Sequence, residues 1–575
     1  MRLNPRAGAL PLLIACGLLL GCGDSAPATR SGASVVPGAQ PPAANRACVP
    51  GLIAACDCGA GVVGVSTCDA VGSAMGPCEC PNAPSTGDAP LAVPGGDGPD
   101  GPITGGTAGA ASPVSDPTPP EPPPPVAARD IRIREIALFQ AVKVSLAVEG
   151  QAVIARNAPV VVGKSGLLRA YVEALPGFAP RELEAHLTLS SAETAVESQV
   201  VTQRVEVSSS EEDLESTINF DIAQGTITGD LRYSLELREL EGVAASATGT
   251  IDPGVRYPLE EDTLAELGAR NAGPLRVMIV PYRYNGDGSG RLPVVTDEQL
   301  QLFRDYIYAF YPVIDVEFEL HEPVDYDANV GPNNGWESWL DSHCSLRTNE
   351  QPDPKVLYYG VMAPRESMQA YGGGIVGISY LPGPAANFGR CSVGVGFEGG
   401  VAASTMSHEL GHSLGLPHAP CGVSGGAYPY EDASIGVWGF GLSSRTLKDP
   451  GEFKDLMSYC DPIFISDYNY QRLFERIRYL NLQFAVEDGP MQSYLRVLQT
   501  PDGERRVTGT IEMAAAPGGE EEERSVELFD DAGAHLGQAV GYFFESSEEG
   551  GGLWLVPDHG AGEVALSDGT RVGLR

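Results

Sequence analysis

Residues 407–418 read SHELGHSLGLPH, and this stretch decides how the centre of the chain folds. Residues four apart lie on one face of a helix, so His408 and His412 present their imidazoles toward a single point. Glu409 stands beside them on the same helix. The spacing therefore predicts a helix that carries two metal ligands and an adjacent carboxylate.

The residues that follow supply a third ligand. Gly415 lets the chain leave the helix through a backbone conformation that is costly for other residues, which allows His418 to turn back as a third nitrogen ligand. Three histidines leave the fourth position of a tetrahedral zinc ion for water, as in catalytic and not structural zinc sites. With only eight histidines in the chain, a chance match to this spacing is on the order of one in 10⁵. The motif predicts catalytic zinc as the cofactor.

The residues HELGHSLGLPH resemble the elongated zinc signature of the metzincin metallopeptidases. That family also has a methionine turn beneath its metal ligands, and Met457, in the run DLMSYC, follows His418 by 39 residues and matches the turn in order and spacing. Tyr459 resembles the tyrosine that some metzincins place near zinc to stabilise the oxyanion, although a buried structural tyrosine fits the same position. The resemblance covers roughly residues 274–484.

The resemblance implies an α/β catalytic domain with a twisted mixed sheet and an active-site helix. It implies a zinc endopeptidase in which Glu409 is the general base toward a zinc-activated water. The strand predicted at 375–381 corresponds to the edge along which metzincins bind an extended substrate. Residues 419–422, APCG, do not match the matrixin, astacin, serralysin or adamalysin branches. The β-domain that precedes the zinc motif and the order of the domains along the chain are more similar to those of the secreted bacterial group that includes the StcE-like peptidases.

The same resemblance implies two disulfide bonds. The metzincin arrangement brings the segments after His418 and after Met457 together, which pairs Cys421 with Cys460 and leaves Cys344 for Cys391. The other two pairings of these four cysteines stay open.

Local patterns place further elements in this region. Strands are predicted at 275–280, 313–320 and 356–361, and a helix at about 467–480. The run TDEQ at 296–299 predicts a capping box that starts a helix ending near residue 310. The glycine-rich turn at 285–290 has calcium-loop character through Asn285, Asp287 and Ser289, but Thr296 stands where the closing glutamate belongs, which favours a plain turn.

Short alternating apolar runs flank the zinc motif on both sides. They predict a β-sandwich at 128–260 and a C-terminal β-domain at 485–575, with the peptidase domain at 261–484. His186 falls on the polar phase of its strand and is expected to face solvent. The predicted fold class is therefore a multidomain chain: an α/β metzincin-like catalytic domain between β-sandwich domains, with a small cysteine-rich module near the N-terminus.

The N-terminal region predicts export. Residues 1–21 form a basic and then apolar segment that ends in LLG before Cys22, which resembles a bacterial lipoprotein signal with Cys22 as the lipid-anchored residue. The alternatives are Cys16 as the anchored residue, an ordinary secretory peptide, or an uncleaved apolar stretch. Six cysteines within 48–80 predict a disulfide-rich module, with a metal cluster as the competing interpretation. The Pro-, Gly- and Ala-rich segments 22–47 and 81–127 predict linkers.

Charge limits the classes of partner. The formal net charge is −38, which opposes nucleic acid and anionic lipid headgroups. We therefore expect no nucleic-acid partner, membrane contact only through the Cys22 anchor, and a protein or glycoprotein substrate outside the cell. The alternative is a surface adhesion or binding lipoprotein in which the metzincin fold is a non-catalytic scaffold.

Overall fold

The computed structural model describes residues 53–57, 63–67, 126–192, 197–240, 248–482 and 490–574. The predicted signal segment, Cys22, the first linker, nearly all of the second and the cysteine pairing of the N-terminal module lie outside the described residues. Within that module two short strands, β1 (Ile53–Asp57) and β2 (Val63–Thr67), form an antiparallel pair.

The first region, residues 131–266, consists of two antiparallel sheets. Their strands are β3 (Ile131–Phe139), β4 (Lys143–Val148), β5 (Gln151–Ala152), β6 (Gly166–Ala174), β7 (Arg181–Ser190), β8 (Glu197–Val205), β9 (Ile218–Ile222), β10 (Arg232–Glu239), β11 (Arg256–Tyr257) and β12 (Ala265–Glu266). One sheet has the order β5-β4-β3-β6-β9 and the other β11-β10-β7-β8, with β12 also on β10. Buried and partly exposed residues alternate along β7, and the His186 side chain, at one of the partly exposed positions, is 22% exposed.

The central region contains a mixed sheet with helices. Its elements are β13 (Leu275–Tyr284), α1 (Asp297–Phe310), β14 (Val316–Leu320), β15 (Val324–Tyr326), α2 (Trp336–Glu350), β16 (Val356–Met362), α3 (Met368–Tyr371), β17 (Gly377–Ser379), β18 (Cys391–Val395), α4 (Gly400–Ser413), β19 (Gly439–Gly441), β20 (Thr446–Lys448), β21 (Lys454–Asp455), β22 (Ile463–Phe464) and α5 (Asp467–Leu482). The main sheet has the order β14-β13-β16-β18-β17, with β15 also on β13. Only β17 runs antiparallel to its neighbour, at one edge.

Several elements differ from the predicted ones. The strand predicted at 313–320 begins only at Val316, and the one predicted at 375–381 is regular only over β17. The capping box is half formed: Thr296 accepts a hydrogen bond from the Gln299 amide, but the Gln299 side chain bonds the Gly399 backbone instead of returning to Thr296. That bond ties the start of α1 to the residue before α4, and this tertiary contact replaces the local one.

The turn at 285–290 uses its polar groups internally. The Asp287 carboxylate accepts a hydrogen bond from the Ser289 amide at 3.0 Å and pairs with Arg291 at 3.1 Å. Asn285 donates to Asp327 at 3.0 Å. These contacts favour the plain glycine turn over a calcium loop.

The C-terminal region is one antiparallel sheet. Its strands are β23 (Gln492–Gln499), β24 (Arg505–Met513), β25 (Glu523–Phe529), β26 (His535–Glu545), β27 (Gly552–Pro557), β28 (Glu563–Ala565) and β29 (Arg571–Gly573), in the order β24-β23-β27-β26-β25-β28-β29. Leu498 and Phe544 share a buried cluster with Tyr380 of the central region. An ion pair at 2.8 Å between the partly buried Arg496 and the buried Asp341 joins the same two regions.

The first two regions also share one hydrophobic cluster, which extends from Ala128 to Leu480. At its boundary the fully buried Lys164 donates to the carbonyls of Tyr308 and Tyr311, the latter at 3.1 Å. Burial lowers the pKa of Lys164 to about 7. The prediction of several β-sheets around a mixed α/β region is confirmed. No helix within the described ranges has the length and apolar character needed to cross a membrane.

Candidate metal centre

Helix α4 is buried almost throughout its second half. Tyr311 donates a hydrogen bond to the Ser407 carbonyl at 2.6 Å, which fixes the helix against the end of α1. A Cβ at Gly411 would lie 2.6 Å from the sulfur of Met457. Glycine therefore lets this turn of the helix approach the methionine closely enough for the histidines to stand above it.

The three histidines converge on one point. Nε2 of His412 lies 3.0 Å from Nε2 of His408 and 3.1 Å from Nε2 of His418. On the opposite side of each ring, Nδ1 of His408 lies 2.8 Å from the Leu456 carbonyl and Nδ1 of His412 lies 2.7 Å from the Leu416 carbonyl. A carbonyl can only accept, so each Nδ1 carries the proton and each Nε2 keeps its lone pair.

The pKa values of the three histidines also indicate that their rings are neutral. Burial lowers the pKa of His408 and His412 well below the ordinary value, and lowers that of His418 to about 3. Neutral imidazoles whose lone pairs face one another repel, and a shared cation removes that repulsion. Nitrogen donors in a three-histidine set are the ligands that catalytic zinc takes, so the residues present fit this metal.

The chain after α4 follows the predicted exit. Gly415 has φ +81°, the left-handed region that favours glycine. Its amide donates to the His412 carbonyl at 2.7 Å. The Ala419 amide donates to the Met457 carbonyl at 2.9 Å, which holds the His418 segment against the methionine turn.

The turn itself is built around Asp455. This buried carboxylate accepts hydrogen bonds from the Met457 amide at 2.8 Å, the Ser466 amide at 2.9 Å and the Asn469 side chain at 2.8 Å. Burial raises its pKa, although these hydrogen bonds act in the opposite direction. Because Leu456, the next residue, accepts from His408, Asp455 fixes the carbonyl that orients the first histidine. The zinc motif alone did not predict this residue, which lies 37 positions after His418 along the chain.

Both disulfides implied by the resemblance are confirmed. Cys421 and Cys460 are bonded, with their Cα atoms 5.7 Å apart, and so are Cys344 and Cys391, with their Cα atoms 5.5 Å apart. The first bond joins the loop after His418 to the methionine turn. Tyr459, beside it, has its ring 4.9 Å from the His418 ring between centroids.

The Glu409 side chain extends from α4 toward β17 at the edge of the sheet. It is fully buried, and a Cβ at Gly377 of β17 would lie 2.6 Å from its Cγ. Burial raises the pKa of Glu409 to about 7, and the negative charge of Glu548 acts in the same direction. The glycine and the distant glutamate were not predicted from the sequence, because neither belongs to the zinc motif.

The region that holds this centre matches a known family. Residues 385–456 match the family model Peptidase M66. This segment is similar to the Peptidase M66 family. It contains all three histidines and Glu409, and it ends one residue before Met457. The predicted resemblance to metzincin-type zinc peptidases is confirmed over this segment.

Individual proteins are similar over part of the chain. Dictomallein-1 of Dictyostelium discoideum is 34% identical over 90 residues, which is 15% of this chain and 15% of that protein's length. The crystal structure of metalloproteinase-II from Bacteroides fragilis is similar with 12% identity and a TM-score of 0.21, covering 59% of this chain and 87% of its own. A chaperone–substrate complex has the same identity and TM-score over 46% of this chain and 39% of its own.

Proposed function

We propose that this M66 chain is an exported zinc endopeptidase that hydrolyses peptide bonds of extracellular proteins or glycoproteins. The observation that carries the proposal is the convergence of three neutral histidine Nε2 atoms next to a buried carboxylate. In this proposal His408, His412 and His418 hold the metal. Gly415 supports them by letting the chain turn after α4 toward His418, and Met457 supports them by packing against Gly411 of the same helix.

The chemistry that zinc supplies when bound is Lewis acidity, which polarises a carbonyl and acidifies water. Glu409 accepts the proton of the attacking water and passes it to the leaving amine. Its raised pKa of about 7 suits both steps near neutral pH. Tyr459, whose ring lies against His418, donates a hydrogen bond from its hydroxyl to the oxyanion that develops on the scissile carbonyl.

The proposed site of action is outside the cell. The disulfides between Cys344 and Cys391 and between Cys421 and Cys460 are of the kind that persists in oxidising compartments. The signal segment and Cys22 provide export and a lipid anchor in this proposal.

Replacing Glu409 with Ala tests the proposal directly. We expect one zinc ion per chain by elemental analysis in both proteins, and no cleavage of an unfolded protein substrate by the variant. Glu431→Ala, in a three-residue helix after the zinc loop, is the matched control and should cleave normally. Cleavage by Glu409→Ala at the wild-type rate would contradict the mechanism and favour the adhesion alternative, in which the metzincin fold is a scaffold.

A further inference from the structure

A cavity of about 740 Å³ lies beside the segment through which the chain leaves α4. One wall of this cavity is formed by residues 414–416, and the Leu416 carbonyl accepts the hydrogen bond from Nδ1 of His412. The chain that continues β17, residues 381–384, and one face of α5 form the other walls. The cavity therefore borders both the helix that carries the metal ligands and the edge strand expected to bind the substrate.

Arg476 of α5 lines this cavity, and the chain satisfies only part of its guanidinium group. The residue is 7% exposed. Its Nη2 donates to the Gly383 carbonyl at 2.6 Å and to the Pro382 carbonyl at 3.3 Å. Its Nε and Nη1 have no hydrogen-bond partner in the part of the chain that the structure describes. Proteins rarely leave buried donors unpaired, so these two groups point to an acceptor that comes from outside the chain.

The lining of the cavity is basic, although the chain as a whole is acidic. Its charged members are three arginines and two glutamates: Arg472, Arg476, Arg478, Glu475 and Glu521. One of the glutamates, Glu475, pairs with Arg270 at 2.8 Å. Burial lowers the pKa of Arg476 to about 10, so the guanidinium group stays charged at neutral pH. An excess of positive charge in a concave site attracts an anionic group.

The nearest buried carboxylate is already used by the chain. Glu522 accepts hydrogen bonds from the Gly383 amide at 2.6 Å and from the Gly519 amide at 2.8 Å. These bonds hold the loop before β25 against the chain that continues β17. Glu522 therefore builds the wall of the cavity and does not supply the acceptor that Nε and Nη1 of Arg476 lack.

Arg472 lies one helical turn before Arg476 and reaches the opposite wall. It is partly exposed, and its Nη2 donates to the Gly415 carbonyl at 3.4 Å. Residues four apart share one face of a helix, so both guanidinium groups face the same cavity. Apolar and aromatic residues supply much of the remaining wall: Leu381, Leu414, Leu416, Tyr468, Tyr479 and Leu482. Two arginines between apolar walls fit a carboxylate carried by an apolar chain better than a small hydrated anion.

We propose that this cavity anchors an acidic segment of the substrate polypeptide, away from the scissile bond. A Glu or Asp side chain of the substrate pairs with Arg472 and Arg476, and a neighbouring apolar residue packs against the leucines. A polypeptide held here stays close to the metal centre, because the cavity borders both α4 and the continuation of β17. The inference rests on the proposed peptidase function and names its substrate class, polypeptides that carry an acidic and apolar segment.

Capped dipeptides test the recognition by binding alone. The probes are N-acetyl-leucyl-glutamate amide, its glutamine analogue, and N-acetyl-glycyl-glutamate amide. Each is titrated into the full zinc-loaded chain that carries Glu409→Ala, so that no probe is hydrolysed. We expect the leucyl-glutamate probe to bind about tenfold more tightly than the glutamine analogue, because a carboxylate forms charge-assisted hydrogen bonds with arginine. It should also bind more tightly than the glycyl probe, which lacks the apolar side chain.

Variants of the arginines identify the site. Arg476→Met should remove the preference for glutamate over glutamine, and Arg476→Lys, which keeps the charge, should retain part of it. Arg472→Met changes a partly exposed position and should lower the preference without unfolding the chain. Arg478→Met is the control, because Arg478 is exposed and already lies 3.8 Å from the Glu475 carboxylate. This variant should keep the wild-type preference.

An unchanged preference in both Arg476→Met and Arg472→Met overturns the inference, and a probe carboxylate that binds the zinc ion gives this result. Equal affinity for the leucyl and glycyl probes also overturns it, because the apolar walls would then play no part. With the wild type, the leucyl-glutamate probe should raise KM for an unfolded protein substrate and leave kcat unchanged. A probe that binds without raising KM contradicts the role in substrate anchoring. A wild type that binds the probe and zinc but cleaves no protein contradicts the peptidase function instead.

Discussion

Two helices on the same sheet each bury histidine, and they do so with different results. His343 of α2 and His418, just after α4, are both buried, and burial lowers the pKa of each to about 3. Among the described residues, His343 does not belong to the group of converging metal-ligand atoms, and its Nδ1 lies 3.1 Å from the Tyr282 hydroxyl. His418 faces the Nε2 atom of His412. Burial and a depressed pKa are therefore common to a structural histidine and a metal ligand, and the convergence of lone pairs distinguishes them.

The largest effect should come from removing one histidine from each helix. His412→Ala leaves two zinc ligands, and we expect zinc content near zero and cleavage at the background level. His343→Leu removes an equally buried imidazole and should retain one zinc per chain and wild-type cleavage. Elemental analysis and a peptide assay on both variants measure this. Loss of zinc from His343→Leu would contradict the assignment of His343 as a structural histidine.

Tyr459, beside His418, and Tyr282, beside His343, should likewise differ in their effect on catalysis. Tyr459→Phe removes the proposed oxyanion donor, and we expect kcat to fall by about a hundredfold with zinc retained. Tyr282→Phe removes a buried hydrogen bond to His343 and should cost about 1 kcal/mol of unfolding free energy with kcat unchanged. Steady-state kinetics and urea unfolding of both variants provide the measurement. Equal kcat in Tyr459→Phe and wild type would assign Tyr459 a structural role.

A smaller effect should follow from loosening the methionine turn. Asp455→Asn replaces one acceptor oxygen by an amide group that cannot accept, so the Leu456 carbonyl loses part of its support. We expect zinc affinity to fall by about tenfold to a hundredfold in a chelator competition assay. Asp461→Asn, an exposed change in the same loop, is the control and should bind zinc normally. Normal affinity in Asp455→Asn would mean that the turn keeps its shape without the carboxylate.

The smallest effect concerns pH. The pKa of His343 is about 3 in the folded chain against 6.5 as the ordinary value. The unfolded chain therefore binds the proton more readily below pH 6.5, and stability is lost as the pH falls toward 3. Between pH 6.5 and 5 this histidine should cost about 1.5 kcal/mol. The unfolding free energy of His343→Leu, measured over that range, should fall less steeply than that of the wild type; parallel curves would contradict the assignment.

Much of the metal centre was predictable because it is local in sequence. The spacing of His408 and His412 requires only the period of a helix, and Gly415 supplies the exit by its own backbone freedom. Met457 was placed by order and spacing along a family pattern. The disulfides followed from the same pattern, since it brings two segments into contact.

The remainder depends on contacts between residues that are distant along the chain. Gln299 bonds Gly399 instead of its own helix end, so a local capping rule predicted only half of the interaction. The loop around Glu548 meets β17 more than 160 residues away from it in sequence, and no spacing rule connects them. His343 carries no motif, and its burial follows from the packing of α2 on the sheet.

The buried Lys164 has a practical consequence for anyone preparing a shorter protein. A fragment that begins at residue 261 lacks the lysine that binds the carbonyls at the end of α1, and it exposes the part of the apolar cluster that the two N-terminal sheets cover. Such a fragment should precipitate or be digested quickly by added trypsin. One that begins ahead of Ile131 keeps both sheets and should withstand the same treatment.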